Sequence, residues 1–256
     1  MIKAPWYTPK WSLPTGVQAF VTTRGEVGAD PMSGFNIAMH VGDDPQRVAQ
    51  NRQRLLDNMP GARRIAWLDQ VHGQHVIDLA EYSYNDVPPQ ADASISSIPG
   101  EVCVVMTADC LPVLFVDESG SQVAAAHAGW RGLQAGVLEN AVAAFNTSSH
   151  RIKAFLGPAI SQLYFEVGAD VREAFLDVAP NPLHGAIDAA FIPSDDQPGK
   201  YFGNLFAIAR VRLKACGVED IQGGGLCTHF HAPKFYSHRR DPGSGRFASL
   251  IYITAP

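Results

Sequence analysis

The sequence predicts an α+β fold in a single domain that spans residues 1–256. Strand-like runs neither alternate regularly with helical patterns nor stand alone, which favours α+β over a regular α/β or an all-β fold. A chain of 256 residues is long enough for one large domain or at most two, and no linker or internal repeat divides it. Its hydrophobic content of 46% and charged content of 18% are ordinary for globular proteins.

In the first half of the chain, short apolar runs predict strands and one capped segment predicts a helix. The helix, near 45–57, begins after Asp44, a residue type that caps helices, and has Pro45 in its first turn. The segments 112–117 and 122–127 are predicted to form a hairpin across a turn-rich connection. The other strands are predicted at 17–23, 65–68, 76–79, 91–95 and 101–107.

The second half is predicted to contain longer helices and fewer strands. Apolar residues fall at helical spacing over 132–145, which is the clearest helix of the sequence. Helices are also predicted at 168–178 and at 203–216, the latter ending before Gly217. The segment 180–200, rich in Pro, Asp and Gly, is predicted to be irregular. The remaining strands are predicted at 152–157 and 247–253.

Composition and charge exclude several classes of protein. The formal net charge is −5 and no block of Lys and Arg stands out, so a nucleic-acid partner is not expected. Residues 1–30 lack the basic and apolar regions of a signal peptide, and no apolar run approaches the length of a membrane span. The four cysteines include no C-x-x-C pair, which favours reduced thiols. We therefore expect a cytoplasmic protein with neither a nucleic-acid nor a membrane partner. This composition is compatible with a small-molecule substrate and with either a monomer or a homodimer.

One thiol and one imidazole lie at the open end of the predicted hairpin. If residues 117 and 123 flank the turn, His127 faces roughly residue 113, and Cys110 lies about 10 Å further along a straight strand. The proline at 112 can bend the chain there and bring the two groups together. Taken alone, the pair fits either a nucleophile beside its base or two structural side chains.

His72 adds a second imidazole from another strand end. One thiolate and two imidazoles with a fourth position open are the ligand set of a catalytic zinc site. Soft sulfur also permits copper, so the ligand types do not fix the metal. No local spacing ties His72 to Cys110 and His127, so the three-ligand site is a hypothesis at this point.

Two residues beside this set are candidates for substrate contact. Arg131 lies in the loop that enters a predicted helix, where unpaired backbone N–H groups favour an anion. The alternative is a surface arginine on the first helical turn. Asp109 is placed to orient a ligand histidine or to hold a substrate hydroxyl, and the alternative is an aspartate that forms a turn.

Aromatic residues and arginines alternate near the C-terminus, from Phe235 to Arg246. Tyr236 stands close to the pair Arg239 and Arg240. This combination suits stacking on a flat ring together with recognition of phosphate or carboxylate. A solvated loop with an Arg–Asp pair is the alternative.

Motifs along almost the whole chain, about 17–253, resemble those of the YfiH family, also called the laccase-domain, multicopper polyphenol oxidase or peptidoglycan-editing-factor family. The resemblance rests on V-T-T-R at 21–24, F-N at 35–36, H-V-G-D at 40–43, N-R at 51–52, W-L-D-Q-V-H-G at 67–73, A-D-A at 91–93, T-A-D-C-L-P at 107–112, H-A-G-W-R-G at 127–132, G-P-A-I at 157–160, F-E-V-G at 165–168 and the C-terminal arginine segment. Two departures, His238 in place of an aromatic residue and Ala38-Met39 in place of a glycine-containing pair, leave the metal ligands unchanged.

The resemblance implies a layered α/β/β/α fold with mixed sheets, related to cysteine hydrolases, and a zinc ion, or alternatively Cu²⁺, bound by His72, Cys110 and His127. With Asp109 these three are the expected catalytic residues. The expected substrate-binding residues are Arg24, Asn36, Gln70, Arg131, Tyr236, Arg239, Arg240 and Arg246.

The resemblance also implies three candidate activities. The first is a zinc-dependent purine nucleoside enzyme, which carries out phosphorolysis of adenosine, inosine, guanosine or methylthioadenosine and deamination of adenosine. The second is a peptidoglycan-editing amidase that removes L-Ser from UDP-MurNAc-L-Ser. Copper-dependent oxidation of phenols ranks third, because laccase chemistry needs several coppers and more histidines than one three-ligand site offers.

Overall fold

The computed structural model describes residues 4–26, 28, 30–82 and 87–255. Within these residues the strands are β1 Trp6–Tyr7, β2 Val17–Thr22, β3 Arg64–Ala66, β4 Val76–Asp78, β5 Ala93–Ser96, β6 Glu101–Thr107, β7 Leu111–Asp117, β8 Val123–Ala128, β9 Ile152–Leu156, β10 Glu166–Gly168, β11 Phe191–Pro193, β12 Lys200–Gly203, β13 Asp220–Gly223 and β14 Phe247–Ile253. The α-helices are α1 Pro45–Asp57, α2 Trp130–Ala135, α3 Val137–Ala143, α4 Ala169–Val178, α5 Asn181–Asp188 and α6 Leu205–Ala215.

Two mixed sheets form the centre of the fold. One has the order β1-β2-β14-β6-β3 and the other β13-β9-β7-β8-β5-β4, while β10, β12 and β11 form a small third sheet. Side chains such as Val105 and Leu114 fill the space between the two large sheets. Helix α1 packs through Leu55 on the outer face of the first sheet, and the later helices cover the second through residues such as Leu138 and Ile208. The α+β class and the layered arrangement are therefore confirmed.

β6 and β7 are buried on both faces, which explains why they appear in the sequence as nearly continuous apolar runs. Every residue of both strands is buried, because each strand lies inside a sheet that is covered on both faces. Such strands are apolar throughout instead of alternating with polar residues. The chain passes from one sheet to the other between them, at 108–110, and Cys110 lies in that crossing.

The predicted helix at 132–145 is wrong in its extent. The structure has two shorter helices, α2 and α3, that meet at Gly136. The φ angle of Gly136 is +106°, a left-handed conformation that glycine adopts without steric cost and that interrupts an α-helix. The helical periodicity continues across the break, which is why the pattern reads as one helix.

The segment 180–200 is also not irregular. It contains α5 and β11, and its last residue begins β12. Pro182 stands in the first turn of α5, where proline is compatible with a helix. The prolines and Gly199 therefore lie at or next to the ends of elements, and Gly185 lies within α5. Strands β1, β10, β12 and β13 were not predicted, because two to four residues are too few to show a period.

The hairpin forms as expected but with a register shifted by one residue. Pro112 pairs with His127, and Val116 pairs with Val123. Cys110 is therefore two positions beyond the partner of His127 instead of three. The shift reduces the separation along the strand and helps to bring the two side chains together.

A carboxylate organises the turn of this hairpin. Asp117 accepts hydrogen bonds from the side chains of Ser119 and Ser121 and from the backbone N–H of Gln122 at 2.7 Å. Burial acts to raise the pKa of Asp117, but these hydrogen bonds outweigh it and hold the pKa below the ordinary value.

We expect Asp117→Asn to lower the free energy of unfolding by about 1–3 kcal/mol at pH 7. The amide nitrogen would replace an accepting oxygen and would then face the hydroxyl or N–H groups that donate to it. A depressed native pKa stabilises the fold above the unfolded pKa of about 3.9 and loses that effect as pH falls through the native pKa. Urea unfolding at pH 7 and near pH 3 should therefore show that the difference in unfolding free energy between the original protein and Asp117→Asn is smaller at the lower pH. Glu118→Gln, which changes an exposed pair with Arg151, is the control, and an Asp117→Asn deficit equal at both pH values would contradict the assignment.

None of the helices in the described part of the chain has the length and apolar character needed to cross a membrane.

Candidate metal centre

Three donor side chains meet where the two large sheets end. Cys110 immediately precedes β7, His127 lies near the end of β8, and His72 comes from the turn between β3 and β4. Their ligand atoms all lie within 4.8 Å of one another. The Cys110 Sγ is 3.9 Å from the Nε2 of His72, and the two imidazole rings are 4.8 Å apart at an angle of 74°. The fold thus brings together the ligands that the sequence predicted.

The carboxylate of Asp92 holds both histidines in place. Its Oδ1 accepts hydrogen bonds from the backbone N–H of His72 at 2.9 Å and from the Nδ1 of His127 at 2.8 Å. Its Oδ2 accepts from the N–H groups of Gly73 at 2.6 Å and Val71 at 3.3 Å. Since Nδ1 of His127 carries the proton given to Asp92, its Nε2 is left with the lone pair that a metal needs.

The turn that carries His72 adopts an uncommon backbone conformation. Among the described residues other than glycine, His72 alone has a positive φ, 61°. This left-handed residue directs successive N–H groups toward one point, which forms a concave anion site. The Asp92 carboxylate, fully buried, occupies that point. The charge of Asp92 therefore offsets the strain of the turn and fixes the position of the His72 side chain.

Gly129 leaves space for an ion beside the three donors. A Cβ at this position would lie 2.9 Å from the Cys110 Sγ, 3.0 Å from the His72 Cδ2 and 3.5 Å from the His127 Nε2. The φ and ψ angles of Gly129, −57° and 156°, are accessible to any residue, so the backbone does not require glycine. The missing side chain instead opens a cradle that the three donors face. A metal ion bound by a thiolate and two neutral imidazoles fits this cradle, with one side open.

Charges within the cluster favour the thiolate. Burial raises the pKa of the Cys110 thiol, but the charge of His127 and hydrogen bonds from both histidines lower it to about 6. Burial lowers the pKa of His127, whereas the charge of Cys110 and the hydrogen bond to Asp92 raise it to about 9. The negative thiolate and the positive imidazolium therefore stabilise each other in the metal-free site. Metal binding has to displace the imidazolium proton.

The carboxylate of Asp109 binds C-terminal loops and does not orient a ligand. Its Oδ1 accepts a hydrogen bond from Thr228 Oγ1 at 2.6 Å, and its Oδ2 accepts one from the backbone N–H of Arg239 at 2.8 Å. It therefore anchors two C-terminal loops next to Cys110. The carboxylate that orients a ligand imidazole is Asp92.

Several of the predicted substrate-binding residues use their polar groups inside the protein. Arg24 donates to the carbonyl groups of residues 30, 31 and 33, and Tyr236 donates to Ser33 while its ring lies 5.2 Å from the Arg24 guanidinium. Asn36 bonds to Ala38, Asp43 and the N–H of Arg246. The guanidinium of Arg240 binds three carbonyl groups and Asp241. These side chains shape the loops around the site.

Other predicted residues retain free donors or lie at the surface. Arg246 gives its Nη1 to two carbonyl groups. Burial lowers the pKa of Arg246, and the charges of Cys110 and Asp109 act in the opposite direction. Arg131 is exposed and lies 4.3 Å over the Trp130 ring. The exposed Arg239 donates to the carbonyl groups of residues 164 and 166.

Gln70, which was expected to contact substrate, has both polar atoms of its side chain bonded to the backbone of β6. Its side-chain amide donates to the carbonyl oxygen of Met106 at 2.9 Å and accepts from the N–H of the same residue at 2.7 Å. The side chain thereby continues the hydrogen bonding of β6 beyond β3. It fixes the approach of the His72 turn to the end of β6.

Sequence reasoning missed Asp92 and Gly129 as parts of the site. Asp92 could have been found from the sequence, because it lies between two alanines at the start of a predicted buried strand and a buried charge needs partners. The need for glycine at 129 cannot be read from the chain, since it depends on side chains from three separate segments.

The chain matches known proteins over nearly its whole length. Residues 17–254 match the family model described as multi-copper polyphenol oxidoreductase laccase. The chain is 46% identical to a purine nucleoside phosphorylase of Pseudomonas aeruginosa, covering 97% of this chain and 98% of that protein. It is 47% identical to the purine nucleoside phosphorylase YfiH of Escherichia coli K12, covering 96% and 97%.

Solved structures give the same relationship. The crystal structure of a Neisseria meningitidis protein superposes with a TM-score of 0.88 at 42% identity and covers 98% of this chain and 99% of that chain. YfiH from Bacillus licheniformis gives a TM-score of 0.84 at 28% identity, covering 93% and 92%. The chain belongs to the laccase-domain, or YfiH, family.

Proposed function

We propose that this protein is a zinc-dependent purine nucleoside phosphorylase that also deaminates adenosine. The observation that carries the proposal is the cluster of His72, Cys110 and His127 around the open side of Gly129. Arg246, on which the charge of Cys110 acts, adds a cation. The names of the relatives in Pseudomonas aeruginosa and Escherichia coli support the reaction type. Adenosine, inosine, guanosine and methylthioadenosine are the proposed substrates.

Phosphorolysis transfers the sugar of a nucleoside from the purine to phosphate. A phosphate oxygen attacks the anomeric carbon while the bond from that carbon to the purine nitrogen breaks and the purine leaves. The nucleophile is an anion, so it needs a fixed cation to hold it near the sugar. We assign that role to Arg246, because hydrogen bonds to the loop at 244–245 fix its guanidinium, the charge of Cys110 acts on it, and a guanidinium binds phosphate through two parallel hydrogen bonds.

The remaining residues of the site prepare the ligand atoms. Asp92 keeps the proton of His127 on Nδ1 and fixes the turn of His72. His127 stabilises the Cys110 thiolate. A metal ion bound by the three side chains supplies Lewis-acid polarisation of a substrate atom. We infer zinc because mixed nitrogen and sulfur ligands with an open position are typical of catalytic zinc.

The test is the conversion of purine nucleosides by the purified, zinc-loaded protein. We expect adenosine to give adenine and ribose 1-phosphate only when phosphate is present. Deamination should give inosine with or without phosphate, and phosphorolysis of that inosine should give hypoxanthine. Removal of the metal with a chelator should abolish both activities, and added zinc should restore them. Chromatographic separation of the products and elemental analysis of the metal content provide the measurements.

Cys110→Ala should remain folded and lose both activities. The matched control is Cys216→Ala, which removes a half-buried thiol at the end of α6 and should retain them. The proposal would be overturned if zinc-loaded protein released no base above the Cys110→Ala background, or if both cysteine variants were equally inactive.

A further inference from the structure

A groove formed by α1 and β3 combines arginines with apolar side chains. It is lined by residues of α1, by β3 and the residues next to it, and by Met39; they include Arg52, Arg63, Arg64, Trp67 and Leu56. The sequence as a whole is acidic, but residues 47–64 contain five arginines and a single acid, Asp57. The fold places three of these arginines around the same groove.

Two of the three arginines lack an acidic partner within the described residues. Arg52 donates to the carbonyl oxygen of Ile37 at 2.8 Å and approaches the sulfur of Met106 at 3.8 Å, and its guanidinium lies 3.9 Å over the Trp67 ring. None of these partners is charged. Arg63 is exposed, and the groove wall holds it through its aliphatic stem against Gly100.

The half-buried Arg52 is the more informative of the two. Burial lowers its pKa to about 10, so it is charged at neutral pH. A desolvated charge without a counter-ion destabilises a protein. An anion bound in the groove would offset that cost, and Arg63 would provide the second cation.

Contacts at the end of β6 link the groove to the segment that leads to Cys110. Arg52 touches Met106, which is held by Gln70 and lies four residues before Cys110. The charges of Arg246 and Arg52 both act on His40 after the effect of burial. The charge of Asp69 acts on His40 in the opposite sense, so Arg52 and Arg246 are the cations and Asp69 the acid on this side of the fold.

We propose that this groove binds a phosphate group carried by the substrate, so that the enzyme takes nucleotides as well as nucleosides, with the base and sugar at the metal centre. This assignment of substrate class rests on the proposed function. The phosphate would contact Arg63 and Arg52, and the non-polar part of the ligand would lie along Met39 and Leu56.

The test measures binding separately from turnover. Isothermal titration of metal-free protein with adenosine 5′-monophosphate and with adenosine should show tighter binding of the monophosphate. Arg63→Gln should weaken binding of the monophosphate about tenfold or more, the value of one charge-assisted contact, without changing the thermal unfolding midpoint. Arg52→Gln should weaken it further. Arg151→Gln, which removes an exposed arginine paired with Glu118, is the matched control and should leave binding unchanged.

The outcomes separate this inference from the proposed function. Equal affinity for adenosine and its monophosphate, or equal weakening in Arg63→Gln and Arg151→Gln, would overturn the groove assignment. If the zinc-loaded protein showed no phosphorolysis but still bound the monophosphate in a way that depends on Arg63, the anion site would be supported and the proposed reaction would be wrong. If the protein cleaved adenosine with phosphate but bound the monophosphate no more tightly than adenosine, the proposed reaction would be supported and the anion site would be wrong.

Discussion

Asp92→Asn is expected to reduce zinc affinity by about 10- to 100-fold, the usual effect of losing a carboxylate that orients a metal ligand. The substitution keeps the size of the side chain but turns one acceptor into a donor. If the amide nitrogen replaces Oδ1, it faces two donors, the N–H of His72 and the Nδ1–H of His127. His127 then has to move its proton to Nε2, which blocks the metal-binding lone pair.

The other orientation of the amide is no better. With nitrogen in place of Oδ2, it faces the N–H groups of Gly73 and Val71. The turn that holds His72 at positive φ then loses the anion that stabilises it. Each buried donor left without an acceptor costs about 1–3 kcal/mol, so the metal-free variant should also unfold at lower urea concentration.

Chelator competition for zinc and urea unfolding of the metal-free protein measure the two effects. Asp69→Asn is the control, because Asp69 is exposed in the same connection and its carboxylate accepts a hydrogen bond from Gln90. It should change neither quantity appreciably. A variant at Asp92 with normal zinc affinity and normal unfolding would show that the carboxylate does not position the ligands.

Gly129→Ala is expected to have the second large effect. The new methyl group would enter the cradle between the Cys110 Sγ and the His72 ring. At least one donor has to move by several tenths of an ångström, and the metal loses space on that side. Misplacement of about 1 Å in a catalytic site costs on the order of 100-fold, and we expect losses of this order in both zinc affinity and turnover.

The effect of Gly129→Ala should be confined to the metal centre. Its backbone angles are accessible to alanine, so the free energy of unfolding of the metal-free protein should change by less than about 1 kcal/mol. Gly185→Ala is the matched control, because nothing lies within 4 Å of a Cβ there. As a position within α5, it should gain roughly 0.5–1 kcal/mol of stability and bind zinc normally. If Gly129→Ala bound zinc as tightly as Gly185→Ala, the cradle would not be the metal position.

Local patterns in the sequence predicted most of the elements that carry the site. The runs that became β6, β7 and β8 are mostly apolar because both their faces are covered, and their polar residues lie at or near the strand ends. The cap and proline at the start of α1 marked that helix within one residue. The pattern failed at Gly136, because a break in backbone conformation does not interrupt the spacing of apolar side chains.

The donor types of the site were visible in the sequence, but their organisation was not. A thiol at 110 and imidazoles at 72 and 127 were identified as a possible ligand set from their chemistry and from motifs. The orienting acid was expected at Asp109, the nearest carboxylate along the chain. The structure assigns that position to Asp92, because β5 pairs with β8 and places residue 92 beside His127.

The sequence by itself determined the fold class, the principal strands and helices, and the three donor side chains, because each depends on the residue types and spacing within one segment. The tertiary structure alone decided how those donors meet, which carboxylate holds them, why residue 129 has no side chain and which arginines keep free N–H groups. These properties depend on contacts between segments tens of residues apart. Strand pairing creates such contacts, and no local pattern encodes them.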